Sequence, residues 1–113
     1  MSNENETSAW ILQAATGFLL VILLGLHILA NHFSKGGLLS YDQVVRHLSN
    51  PLILLLEVAF LGTVVFHALA GVRAILLDTG IPRDADEKLV KILAVVGVLM
   101  FLYGVWIFAR LLA

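Results

Sequence analysis

Three long apolar stretches, separated by two polar connections, set the pattern of this chain. They cover residues 10–31, 52–77 and 89–112, and the third keeps an uncharged core over 92–109. At a rise of about 1.5 Å per residue, each is long enough as a helix to cross a hydrocarbon layer ~30 Å thick. Trp10 and Trp106 suit the interfacial belt, where aromatic residues anchor a spanning helix. The pattern predicts an all-α integral membrane fold: a bundle of three transmembrane helices in one domain over 10–113. Residues 1–9 are polar and acidic. They read as a retained, disordered tail, because a signal peptide would carry basic residues there.

The first connection has a pattern of its own. Ser40 followed by Gln43 makes a capping box. Tyr41, Val44, Val45 and Leu48 then recur at helical spacing. The spacing predicts a short amphipathic helix over 40–48, lying on the membrane surface and closed before Asn50-Pro51. Gly36-Gly37 supplies the preceding turn. In the second connection, Gly80 and Pro82 break the helix, and Asp84 or Asp86 is the expected cap of the third span.

Composition narrows the class further. The chain has 113 residues, of which 60% are hydrophobic and 13% charged, more apolar surface than a soluble globule of this size can hide. A net charge of -1 leaves no footprint for nucleic acid. The absence of cysteine excludes disulfides, thiolate-held iron–sulfur clusters and covalently attached c-type haem on this chain. Four basic residues (Arg73, Arg83, Lys88, Lys91) fall on the side of the N-terminus, against three (Lys35, Arg46, Arg110) on the other. This slight excess favours a cytoplasmic N-terminus. A multi-pass protein of the cell inner (cytoplasmic) membrane is expected.

The candidate chemistry lies in the histidines. Of the four, only His27 and His67 fall within apolar stretches. An ionised group at bilayer depth costs roughly 2.5 kcal/mol or more, so such a residue faces the bundle interior and has a partner. A metal is one partner that offsets the burial of a neutral imidazole. His27 stands about 25 Å along its helix from Trp10, and His67 about 22 Å along its own from Leu52. The second helix runs back from the outer surface, so the two differ in depth by roughly 15 Å. Trans ligands of one iron are only about 4 Å apart, so this pair cannot bridge a single haem.

Helical projection places Phe60, Thr63, His67, Gly71, Ala74 and Asp78 on one face of the second span. Gly71 and Ala74 leave room beside the imidazole for a flat macrocycle, although small residues equally serve close helix packing. On the first span, Gln13, Thr16, Leu20, Leu23, His27 and Asn31 share a face that should point into the bundle. On spacing alone the alternatives stay open. A membrane histidine can bind haem, hydrogen-bond a neighbouring helix or stand in a proton path. His32 and His47 read as solvated, with His32 within reach of a haem propionate. Glu57 reads as snorkelling to the outer interface or carrying protons near a quinone, and Arg73 as snorkelling inward or pairing with a propionate. Arg110 reads as a helix-end anchor.

The run His67-Ala-Leu-Ala-Gly71-Val-Arg73-Ala-Ile-Leu-Leu-Asp78-Thr-Gly80 resembles the second-helix motif of succinate dehydrogenase membrane anchors, where Gly follows the histidine by four residues and Asp by eleven. Trp10-Ile-Leu-Gln13-Ala-Ala-Thr16-Gly17 is similar to the first-helix start of the smaller anchor subunit. His27-Ile-Leu-Ala-Asn31-His32-Phe33 resembles the end of the first helix in two-haem anchors of succinate dehydrogenases and fumarate reductases.

The resemblance implies a non-catalytic subunit of a succinate:quinone oxidoreductase, with one or two b haems shared with a second anchor chain. His67 would be an axial ligand of the haem nearer the iron–sulfur subunit, and His27 of the outer haem. Gly71, Arg73 and His32 would adjoin haem, and Asp78 would lie near the quinone site. FAD and iron–sulfur clusters would belong to a partner flavoprotein and a partner iron–sulfur subunit, and quinone would be the substrate at the membrane. The pattern departs from the family at Ala14 and Ala15, where Arg is frequent, and at Thr79, where Tyr is frequent. Both positions help form the quinone site in some members, so here that site would use the partner chains or lie elsewhere. The alternatives are an anchor of a fumarate reductase working in reverse, a small structural subunit, and a proton-translocating subunit using Glu57, His67 and Asp78.

Overall fold

The computed structural model describes residues 3–32 and 39–113. These form four α-helices: α1 (Asn3–His32), α2 (Tyr41–Leu48), α3 (Pro51–Asp78) and α4 (Asp86–Leu112), with a 3₁₀ turn (Arg83–Ala85) leading into α4. Three helices are long and apolar enough to cross a membrane, as the hydrophobic pattern predicts. The Gly36-Gly37 turn lies outside the described residues.

Local chemistry accounts for most of the helix ends. α2 begins with the expected capping box: the Gln43 backbone N–H donates to Ser40 Oγ at 3.4 Å, and the Ser40 N–H donates to Gln43 Oε1 at 2.8 Å. α3 starts with Asn50 accepting from the Leu52 N–H at 2.9 Å and with Pro51 in the first turn, where no amide donor is needed. It ends in a Schellman motif. The Gly80 N–H reaches the Leu77 carbonyl, the Ile81 N–H reaches that of Leu76, and Gly80 takes a φ of 103° that L side chains disfavour.

Two ends differ from expectation. α1 begins at Asn3, so Glu4 to Ala9 are helical where a disordered tail over 1–9 was expected. Glu4 and Glu6 in the first turn complement the helix dipole, and Glu6 pairs with Arg83 across the connection. The cap of α4 is neither Asp84 nor Asp86. Ala85 occupies the N-cap without a side-chain hydrogen bond, and Asp86 turns to Arg73. A half-buried guanidinium offers a carboxylate more than an exposed helix end does.

α3 is central, packed against α1 on one side and α4 on the other. α2 rests on α3 and α4. Its apolar face is therefore turned partly into the protein: Leu48 is buried while Tyr41 stays exposed. The α3–α4 seam is built by small residues receiving large ones. A Cβ at Gly97 would lie 2.8 Å from Leu69 Cδ1, and one at Gly104 would lie 2.5 Å from Leu61 Cδ2. The two glycines stand seven apart, on one face of α4, so the helices approach closely along two turns. Between α3 and α4, with Ala9 and Leu12 of α1 in the wall, lies an apolar cavity of about 530 Å³. Outward faces carry exposed Trp10, Phe18, Val21, Leu29, Leu52 and Leu99, as lipid or a further membrane chain demands.

Candidate functional site: two imidazole layers between α1 and α3

The antiparallel seam between α1 and α3 brings polar side chains together at two levels. Along it, Gly17 faces His67 and Gln13 faces Gly71, while ten residues further up α1 His27 meets Glu57, ten residues back along α3. The two imidazoles are thus separated by ten residues of helix, about 15 Å of rise. The depth difference read from the sequence holds, as does the inward-facing set Gln13, Thr16, His27 and Asn31.

At the inner level, His67 Nδ1 lies 3.0 Å from Thr16 Oγ1. The threonine hydroxyl has one proton, and it is directed to the Leu12 carbonyl at 2.7 Å. The Gln13 carbonyl is a second acceptor at 3.2 Å. With the hydroxyl proton on either carbonyl, Oγ1 accepts and the imidazole donates from Nδ1–H. Gly17 lets the ring in: a Cβ there would lie 3.1 Å from His67 Cε1. The space over Gly71 is taken by Gln13, whose Nε2 would be 3.2 Å from a Cβ at 71. Gln13 Oε1 is buried and has no hydrogen-bond partner among the described residues.

At the outer level, His27 Nδ1 is 2.9 Å and 2.8 Å from the two oxygens of Glu57, and Asn31 Nδ2 donates to Glu57 Oε1 at 2.8 Å. Asn31 also donates to the His27 carbonyl at 2.9 Å, which holds it to its own helix. Asn31 Nδ2 and His27 Nδ1 approach to 3.3 Å because two donors share one carboxylate. Phe60 lies against the imidazole, ring centroids 5.1 Å apart, and the His32 ring is 6.0 Å away.

Both rings have Nδ1 engaged by an acceptor, and Nε2 of neither makes a hydrogen bond among the described residues. This is the donor set a metal-binding histidine presents: one nitrogen held by an outer acceptor, the other with its lone pair available. No group of three or more His, Asp or Glu that could hold a metal ion occurs among the described residues. Each imidazole has one ring nitrogen with which it could give a single ligand to a bound group. The room expected beside His67 at Gly71 is filled by Gln13.

The other candidate residues lie outside these layers. Arg73 Nε and Nη2 donate to Asp86 Oδ1 and Oδ2 at 2.8 and 2.7 Å, a two-pronged pair that ties α3 to the start of α4. A propionate at Arg73 would share the guanidinium with Asp86. Asp78 is exposed in the last turn of α3, and His32 is exposed in the last turn of α1. Neither imidazole lines the apolar cavity.

The sequence puts both Glu57 and His27 toward the outer surface without pairing them, and Glu57 reads there as snorkelling or carrying protons near a quinone. Glu57 is instead only 7% exposed. The matching depths were the available signal; which way each faced across the seam was not.

The chain matches the family model described as succinate dehydrogenase/fumarate reductase transmembrane subunit over residues 1–110. It is 32% identical over 102 residues to the succinate dehydrogenase hydrophobic membrane anchor subunit of Archaeoglobus fulgidus, covering 90% of this chain and 87% of that protein. Proteins of the same description from Thermoplasma acidophilum and Halobacterium salinarum are 31% identical (81% of this chain, 76% of that protein) and 33% identical (85% and 80%).

Proposed function

The chain belongs to the succinate dehydrogenase/fumarate reductase transmembrane-subunit family, as a multi-pass anchor of the succinate dehydrogenase type, and from that premise we propose that it binds haem b through His67 and His27. In this reading it attaches a flavoprotein and an iron–sulfur subunit to the cell inner membrane, N-terminus on the cytoplasmic side, and supports electron transfer from succinate to quinone. A second anchor chain would supply the remaining iron ligands.

One observation carries the reading. Two imidazoles at different depths are both held by Nδ1, with Nε2 left unpartnered. When bound, haem b supplies a one-electron carrier, and saturation by two histidines favours outer-sphere transfer over oxygen chemistry. The residues of this chain do the rest. Thr16 fixes the tautomer and plane of His67. Glu57 and Asn31 do so for His27. Gly17 admits the inner ring. Asp78, exposed at the end of α3, would meet quinone or a partner subunit near the membrane surface.

The proton-translocating alternative needs a relay from Glu57 through His67 to Asp78. Glu57 is committed to His27 and stands ten residues from His67 along α3, about 15 Å away, so this geometry favours the haem reading.

The test is the visible spectrum of the purified intact complex. A b-type alpha band is expected. His67→Ala should remove one haem and His27→Ala a different one, with a different midpoint potential. Full haem content in both variants would refute the assignment.

A further inference from the structure

We infer that the apolar cavity between α3 and α4 is a lipid site: it takes one acyl chain of a zwitterionic phospholipid from the leaflet at the Arg73 end, with the headgroup at the mouth beside Arg73 and Lys91. Neither imidazole lines this cavity, so the inference does not depend on haem.

The shape of the cavity selects the occupant. Its walls run from Arg73 back along α3 to Gly62, and from Val90 along α4 to Leu102. Those lengths of helix rise about 16–18 Å. That is the depth of one leaflet, half of a hydrocarbon layer ~30 Å thick. A volume of about 530 Å³ spread over that length averages roughly 30 Å² in section. A helix, about 10 Å across, does not enter such a slot, whereas a single hydrocarbon chain does. Small residues make the space: Ala9, Gly62, Ala70, Ala94 and Gly97 all lie in the wall. Phe66, Val98 and Leu102 belong to the wall and are also exposed, so the slot opens sideways to the bilayer.

Polarity fixes which way the lipid stands. Among the wall residues only Arg73 has a polar side chain, and it sits at one end. A water held in a cavity needs about 2–4 polar partners, and the rest of the slot has no polar side chain to offer. At the Arg73 end both signs of charge gather. Arg73 pairs with Asp86. Lys91 stands one turn before Ala94 and two turns before Val98, on the rim of the slot, and pairs with Glu87. That second pair is well exposed, so its tie is weak and Lys91 can turn to another anion. The phosphate of a phosphatidylethanolamine complements the two cations, and its amine complements Glu87. A quinone ring brings no charge to this mouth.

The experiment is photolabelling of the intact complex in vesicles of phosphatidylethanolamine and phosphatidylglycerol. The probe is a trace of phosphatidylethanolamine with a diazirine halfway along one acyl chain, and the adducts are mapped by peptide mass spectrometry. The expected result is label concentrated around Phe66 and Val98, above the level at the outward-facing Phe18 and Val21. Ala94→Phe fills the slot, and label around Phe66 and Val98 should then fall to the level at Phe18. Should that variant fail to assemble, Ala70→Leu takes its place with the same expected loss. Equal labelling of all outward faces of the wild-type complex would overturn the inference, because it describes ordinary boundary lipid. Label unchanged in the filled variant would overturn it too. So would label displaced by added quinone but not by added phosphatidylethanolamine, which would give the slot to a quinone tail.

Discussion

The two seams that α3 makes with its neighbours are built on opposite principles. Toward α1 it presents His67, Glu57 and Gly71, and receives Thr16, Gln13, His27 and Asn31. Toward α4 it presents Leu61, Val65 and Leu69, and receives Gly97, Gly104 and Phe101. Polar contact on the α4 side is concentrated at the end, where Arg73 meets Asp86. One face of α3 thus holds the candidate cofactor chemistry, while the other joins the helices by close packing. In a membrane, apolar burial does not drive helices together as it does in water, so shape and buried polar pairs must. Placing the two kinds of contact on different faces lets one be changed with little disturbance to the other.

The separation can be broken most severely at Arg73→Met. It leaves Asp86, only 4% exposed, without its counter-charge. The expected loss is about 3–5 kcal/mol, the scale for removing one partner of a buried pair. A lowered thermal unfolding midpoint in detergent, with haem spectra of the surviving complex unaltered in position, would check it. A shift in the haem potentials instead would show that Arg73 acts on the α1 side as well.

Thr16→Val tests the α1 side. It leaves the His67 Nδ1–H without its acceptor, a cost of about 1–3 kcal/mol. Retention of the inner haem should fall by about 10–100-fold in affinity, as expected when an outer acceptor of a metal-binding histidine is lost. The outer haem should keep its potential, measured in the same titration.

Gly104→Ala sharpens the contrast from the packing side. The new methyl meets Leu61 at its flexible end, so the expected cost is about 1 kcal/mol, at the low end of overpacking. Haem content and both potentials should stay at the wild-type values, read by the alpha-band amplitude per complex. The smallest effect is expected away from both seams. Ser40→Ala removes the α2 capping box and should cost about 0.5–1 kcal/mol, seen as earlier amide exchange over α2 alone.

Much of this is legible in the sequence. The three spans follow from length and hydropathy. The α2 cap follows from Ser40 and Gln43, and the inward face of α1 follows from the spacing of Gln13, Thr16, His27 and Asn31. The unequal depths of His27 and His67 follow from counting residues. Each is a property of one helix, or of the antiparallel order that short connections between spans impose. Rise and turn per residue are set locally by backbone hydrogen bonding, so counting suffices.

Four things were not legible: the helical start at Asn3, the pairing of Glu57 with His27, the donation of His67 to Thr16, and the withdrawal of Asp86 from the cap of α4 to Arg73. The last three join residues on different helices. They depend on how far one helix slides and turns against the next, which is decided where Gly17 admits His67 and where Gly97 and Gly104 admit leucines. A sequence states which side chains are available at each height of a helix. Which of them meet is settled only when the packed helices choose a common register.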